Sequence, residues 1–177
     1  MPFAYLGGYG GLLVRRRYNL QSMTTTLNDI KKQLEGKDKN DLIHLIVRLG
    51  RFKKENKELL SYLLYDAGSP DQFVNDVRSE IDELFLEINY SSVYFIKKSV
   101  RKIVRILLKY IRFASDKQVE ASLLAYFCHS LKVHPVPLKK SVQLQNIYDS
   151  QWKKLQVALE AIHPDLQHDL LKEMDLL

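Results

Sequence analysis

His129 and His134 stand five residues apart, and so do His163 and His168. On a helix that spacing turns the two side chains about 140° from each other. A two-histidine helical metal site needs a spacing of four and a third ligand. HExxH is absent, and there is no pair of inward-facing Glu-x-x-His motifs of the kind that builds a di-iron bundle. With His44, these five histidines read as structural or solvent-exposed groups, and neither a metal nor a cofactor is expected. Cys128 beside His129 suggests a thiol–imidazole couple, but neighbours on a helix diverge by about 100° and cannot face one substrate unaided. Cys128 shares the apolar side of Leu124 and Leu131, so a buried core thiol is expected. Gly7, Gly8, Gly10 and Gly11 are not followed by GK[ST], so no phosphate loop forms. No nucleophile–base set stands out, and a non-enzymatic protein is expected.

Charge is the stronger signal. Ser92 to Phe113 carries Lys97, Lys98, Arg101, Lys102, Arg105, Lys109 and Arg112 and no acidic residue. These seven cations exceed the net charge of the whole chain, which is +6. Basic character is therefore local to this stretch and to the triplet Arg15, Arg16 and Arg17. Val93, Ile96, Val100, Ile103, Val104, Leu107 and Ile111 recur at steps of three and four, the mark of an amphipathic helix. At 100° per residue, a projection places every cation except Lys97 on a face turned well away from that stripe. Lys98, Arg101, Lys102, Arg105, Lys109 and Arg112 would then track an anionic backbone over roughly 21 Å. Tyr94, Tyr110 and Phe113 lie near enough in sequence to offer stacking. Contacts of this kind are largely insensitive to base sequence.

An internal partner for the basic face is also in view. Asp76, Glu80, Glu83 and Glu87 repeat at four, three and four on the preceding helix. If the two helices are antiparallel neighbours, that acidic stripe lies beside the basic one. Seven cations against four carboxylates would still leave part of the basic face unpaired. The leading expectation is a binding protein that contacts nucleic-acid backbone, or another polyanion, through residues 92–113. The alternative is a structural or adaptor protein that binds another protein through a helical groove, with the basic helix solvated or paired. Lying flat on an anionic membrane is the weakest reading, because the aliphatic stripe is needed for the core.

The elements that must position these groups are helical throughout. Leu27, Ile30 and Leu34 form a stripe that Gly36 ends; Asp38 can cap a helix burying Leu42, Ile43, Leu45, Ile46 and Leu49, with Gly50 at its end. Asn56 precedes Leu59, Leu60, Leu63 and Leu64, and Gly68 closes that helix. Ser69, Pro70 and Asp71 open the next, which buries Phe73, Val74, Val77, Ile81, Leu84, Phe85 and Ile88. After the basic helix, Asp116 caps one with Val119, Leu123, Leu124, Phe127, Cys128 and Leu131 inward. Pro135 and Pro137 break the chain before a long helix carrying Leu144, Ile147, Tyr148, Trp152, Leu155 and Leu159, and Pro164 starts a short last one.

No convincing strand appears, and no repeat of the length used by helical repeat families. The fold class is all-α: about seven helices in an antiparallel bundle or a short superhelix of helix pairs. Residues 1–23 are expected to be a flexible N-terminal extension. Residues 24–177 are expected to form a single all-helical domain, with a candidate break at 133–138. One cysteine allows no intrachain disulfide, and no window holds the roughly 18 uncharged apolar residues of a membrane span. A soluble, cytoplasmic protein is the corresponding expectation; its oligomeric state is left open.

Overall fold

The computed structural model describes residues 25–176. Among these residues it is all-α: eight α-helices, one π-helical turn and one 3-10 turn, with no strand. The flexible extension expected at residues 1–23, with its glycine cluster and arginine triplet, lies outside the described residues. The chain divides into two compact units, Met1–Arg48 and Leu49–Leu177.

Helices α1 (Leu27–Glu35) and α2 (Lys39–Phe52) come first. Thr26 and Asp29 close a reciprocal capping box on α1, and Gly36 ends it. Asp38 caps α2 by accepting the Asp41 N–H at 2.8 Å. The burial expected on α2 is not found. Neither helix buries a residue, and Ile43, Leu45, Ile46 and Leu49 are exposed. Periodicity dictates that an apolar stripe forms; it does not dictate that a neighbour covers it.

Gly50 lies inside α2 rather than at its end. A methyl group there would stand 3.0 Å from Leu60 Cδ1 of α3 (Lys54–Ser61), so the glycine leaves room for that leucine. Asn56 does not cap α3. Its side-chain N–H donates to the Leu49 carbonyl at 2.9 Å and ties the two helices across the bend. After α3 the backbone widens into a π turn, Tyr62–Asp66. The extra residue per turn rotates the face, so Tyr62 is buried against Phe73 (centroids 4.6 Å apart) while Leu63 and Leu64 point outward.

Helix α4 (Pro70–Leu86) has proline in its first turn and buries Phe73, Val74, Val77, Ile81 and Phe85. Helix α5 (Val93–Ala114) runs 22 residues without a glycine or proline. Ser92 caps its start, and Ser115 ends it in the left-handed conformation at φ 50°, its N–H donating to the Ile111 carbonyl. Helix α6 (Lys117–Val133) is capped by Asp116, whose carboxylate accepts the Val119 N–H at 2.9 Å. Helix α7 spans Val142–Glu160 and α8 spans Pro164–Glu173.

The core of the second unit is built around α6, which packs most extensively on α7 and also meets α4, α5 and α8. Its residues Ala121, Leu123, Leu124, Ala125, Phe127 and Cys128 have no exposed surface. A helix apolar on most of its circumference belongs at the centre of its unit. The segment 134–138 does not leave this core. His134 stacks on Phe85 at 4.6 Å and 7°, and Val136 is buried. Leu144, Leu155 and Leu159 of α7 close the far side.

Candidate functional site

Helix α5 turns Ile96, Val100, Ile103 and Leu107 into the core, and this fixes where its cations go. Lys98, Arg101, Lys102, Arg105 and Arg112 are exposed, and Lys109 is half-buried. Helices α4 and α5 are antiparallel neighbours joined by a short link. The acidic stripe on α4 is nevertheless not the main partner of the basic face. Only Glu87 reaches it, pairing with Lys102 at 3.5 Å, and both groups are well exposed. Glu80 accepts the Tyr110 hydroxyl at 2.6 Å, and Asp76 accepts the Gln72 amide at 2.8 Å.

The shorter ion pairs to the cations of α5 come from α3. Glu58 takes Lys109 at 3.0 Å and Glu55 takes Arg112 at 2.7 Å. The hydrogen bond from Lys109 holds the Glu58 carboxyl below its usual range. Lys109 also sits 4.5 Å from the Tyr110 ring centroid. Lys109 is thus held by the fold, while the Arg112–Glu55 pair is exposed on both sides. Among the described residues, Lys98, Arg101 and Arg105 have no carboxylate partner. The six candidate cations therefore divide into one part-buried pair at Lys109, two exposed pairs at Lys102 and Arg112, and three without a carboxylate partner among the described residues.

Beside those three runs a groove of about 870 Å³ between α5 and α7. Tyr94, Lys97, Lys98, Arg101 and Arg105 line it from α5, and Gln143, Asn146, Ser150 and Gln151 from α7. Val104 and Ile147 supply its apolar surface, and no carboxylate lines it. Lys97, which the helical projection sets apart from the basic face, donates to Gln143 Oε1 at 2.8 Å across this groove. A second hollow, lined by Lys102, Arg105, Lys109 and Arg112 with Glu55 and Glu58, shares Arg105 with the first. The expected stacking groups also divide. Phe113 is buried and the Tyr110 hydroxyl is engaged, while Tyr94 is 66% exposed. The polar residues of α7 carry no signal in the sequence; only the packing of α7 on α5 gives them a role.

Several other titratable groups serve structure. His129 donates Nδ1–H to the Met174 carbonyl at 2.6 Å, and His163 caps α8 by accepting the Asp165 N–H. Tyr126 donates to Asp82 at 2.6 Å, and burial together with that carboxylate keeps its phenol protonated. Burial pushes the Cys128 thiol up to about 12 from a usual 9.0. The thiol is then almost wholly protonated at pH 8 and is enclosed in the core. Labelling by a thiol-specific disulfide reagent at pH 8 should be negligible in native protein and immediate in denaturant. Rapid native labelling would remove Cys128 from the core.

Comparison of the chain with known protein families, curated proteins and solved structures finds no match. Fold and surface together define a class only: among the described residues, an all-α protein whose helix α5 carries three exposed cations without a carboxylate partner. Among the described residues no helix is long and apolar enough to cross a membrane.

Proposed function

We propose that this protein is a non-enzymatic binder of nucleic-acid backbone, working in the cytoplasm through the basic face of α5. The observation that carries this reading is the uneven pairing of the helix. The fold supplies carboxylates to Lys109 and Arg112 and leaves Lys98, Arg101 and Arg105 without them beside an acid-free groove. Charges meant only for solubility have no need of such a gap, and three like charges within two turns repel one another by a few tenths of a kcal/mol per pair. An external polyanion relieves that repulsion. With Lys97 or Lys102 joining them, about four phosphates are neutralised. The logarithm of affinity should then fall against the logarithm of salt with a slope of about −3 to −4. Between 50 and 200 mM salt the loss is roughly 50- to 150-fold. Fluorescence anisotropy with a labelled oligonucleotide measures this, and a slope near zero removes the proposal.

A second reading has its own observation. The stripe Ile30, Leu34, Ile43, Ile46 and Leu49 on α1 and α2 is exposed, as a face that docks another protein would be. Ile43→Ser with Ile46→Ser should abolish capture of such a partner, while changes on α5 should leave it intact. Capture that ignores both serines would exclude this face.

A further inference from the structure

The groove between α5 and α7 has two unlike walls, and phosphate binding explains only one of them. Lys97, Lys98, Arg101 and Arg105 on α5 suit an anionic backbone. The α7 wall presents neutral hydrogen-bonding groups instead: Gln143, Asn146, Ser150 and Gln151. Gln151 is the informative one. It is 4% exposed, and its side-chain oxygen is buried with no hydrogen-bond partner among the described residues. Buried amide oxygens are nearly always satisfied, because an unmade hydrogen bond forfeits the hydration the group had in the unfolded chain. A half-turn of the terminal amide exchanges its oxygen and nitrogen, so either edge of Gln151 can be shown to the groove. Toward the α5 N-terminus, at the Gln143 end of the groove, Tyr94 offers an exposed ring, and Val104 with Ile147 offers an apolar surface between the walls.

A ligand that matches this arrangement has three parts: an anionic group for α5, a flat face for Tyr94, and an edge of N–H and C=O groups for the amides of α7. We infer that the groove takes neighbouring unstacked bases of a single-stranded nucleic acid, with the flanking phosphates on Lys98, Arg101 and Arg105. Gln151 and Asn146 hydrogen-bond base edges along α7, and Tyr94 stacks on the face of the base at its end of the groove. A volume of about 870 Å³ admits a nucleotide unit. A paired base cannot enter, since its edge is occupied and its faces are stacked. This rests on the polyanion reading and adds to it a preference for single strands over duplexes.

The test uses the full chain, a fluorescein-labelled 12-nucleotide strand of mixed sequence, and the same sequence as a blunt duplex, at 0.1 M salt. The wild type should bind the strand at least tenfold more tightly than the duplex. Tyr94→Ala should lower strand affinity at least fivefold, on the scale of one lost base stack, and leave the duplex unchanged. Asn146→Ala with Gln151→Leu should bring strand affinity close to duplex affinity while the salt slope of both stays as in the wild type. Tyr94 and Asn146 are exposed, so Tyr94→Ala and Asn146→Ala alone keep the test valid if Gln151→Leu disturbs packing. Equal wild-type affinity for strand and duplex overturns the inference and leaves backbone binding standing. So does a loss in these variants that strand and duplex share. Binding of neither species at 0.1 M salt overturns the backbone reading, and the inference falls with it.

Discussion

Reversing two charges, Arg101→Glu with Arg105→Glu, should lower affinity for an oligonucleotide by about 100-fold at 0.1 M salt. On the counterion-release scale each phosphate neutralised is worth about eightfold at 0.1 M relative to 1 M salt, so two lost contacts account for about 60-fold. Reversal adds repulsion to that loss. The salt slope should become shallower by about two, because two phosphates are no longer neutralised. Both side chains are exposed and neither is engaged by a carboxylate among the described residues, so the fold should be indifferent. Two glutamates among Lys97, Lys98, Lys102 and Lys109 even replace repulsion with attraction at helical spacing. The melting temperature should therefore stay level or rise slightly. Circular dichroism and anisotropy on the same sample check both halves. A variant that keeps its affinity, or loses it only by unfolding, would refute the assignment of these arginines.

The second large effect concerns stability. Phe127→Ala should cost about 3–5 kcal/mol, the range for removing a fully buried phenyl ring. Phe127 has no exposed surface, stands on the central helix α6, and packs against Phe85 with centroids 6.1 Å apart. Phe85 in turn stacks on His134, so the cavity opens where α4, α6 and the 134–138 segment meet. Its neighbours are helices held along their length, which limits how far they can collapse into the space. For a protein of this size each kcal/mol shifts the midpoint by about 2–4 °C, so a fall of about 6–20 °C is expected. Urea unfolding should show a lower midpoint with an unchanged slope. A cost below about 1 kcal/mol would mean that α6 is not the centre of the core. The contrast with Arg101 and Arg105 is itself a check. One change should remove stability and keep the basic face, and the other should do the reverse.

The sequence by itself determined the helices, their caps and most of their inward faces. Ser92, Asp116 and Pro164 start helices where their chemistry places them, and the buried set on α4, α5 and α6 follows the 3.6-residue period. These are local properties, decided within a turn or two of each residue. It also determined that basic charge would gather on one helix.

Tertiary structure alone decided what meets that helix. The acidic stripe on α4 is in the right place by sequence, yet Glu80 is taken by Tyr110 and only Glu87 faces a cation on α5. Glu55 and Glu58 reach Lys109 and Arg112 from more than 50 residues away, a pairing set by where the chain carries α3. The same applies to Lys97 and to the amides of α7, which share a groove only because α7 packs beside α5. The exposed stripe on α2 shows the limit from the other side: amphipathic periodicity makes an apolar face, and only a packed neighbour makes it a core. Helical period is written in neighbouring residues. Charge compensation is a property of distances between elements, and no local pattern carries it.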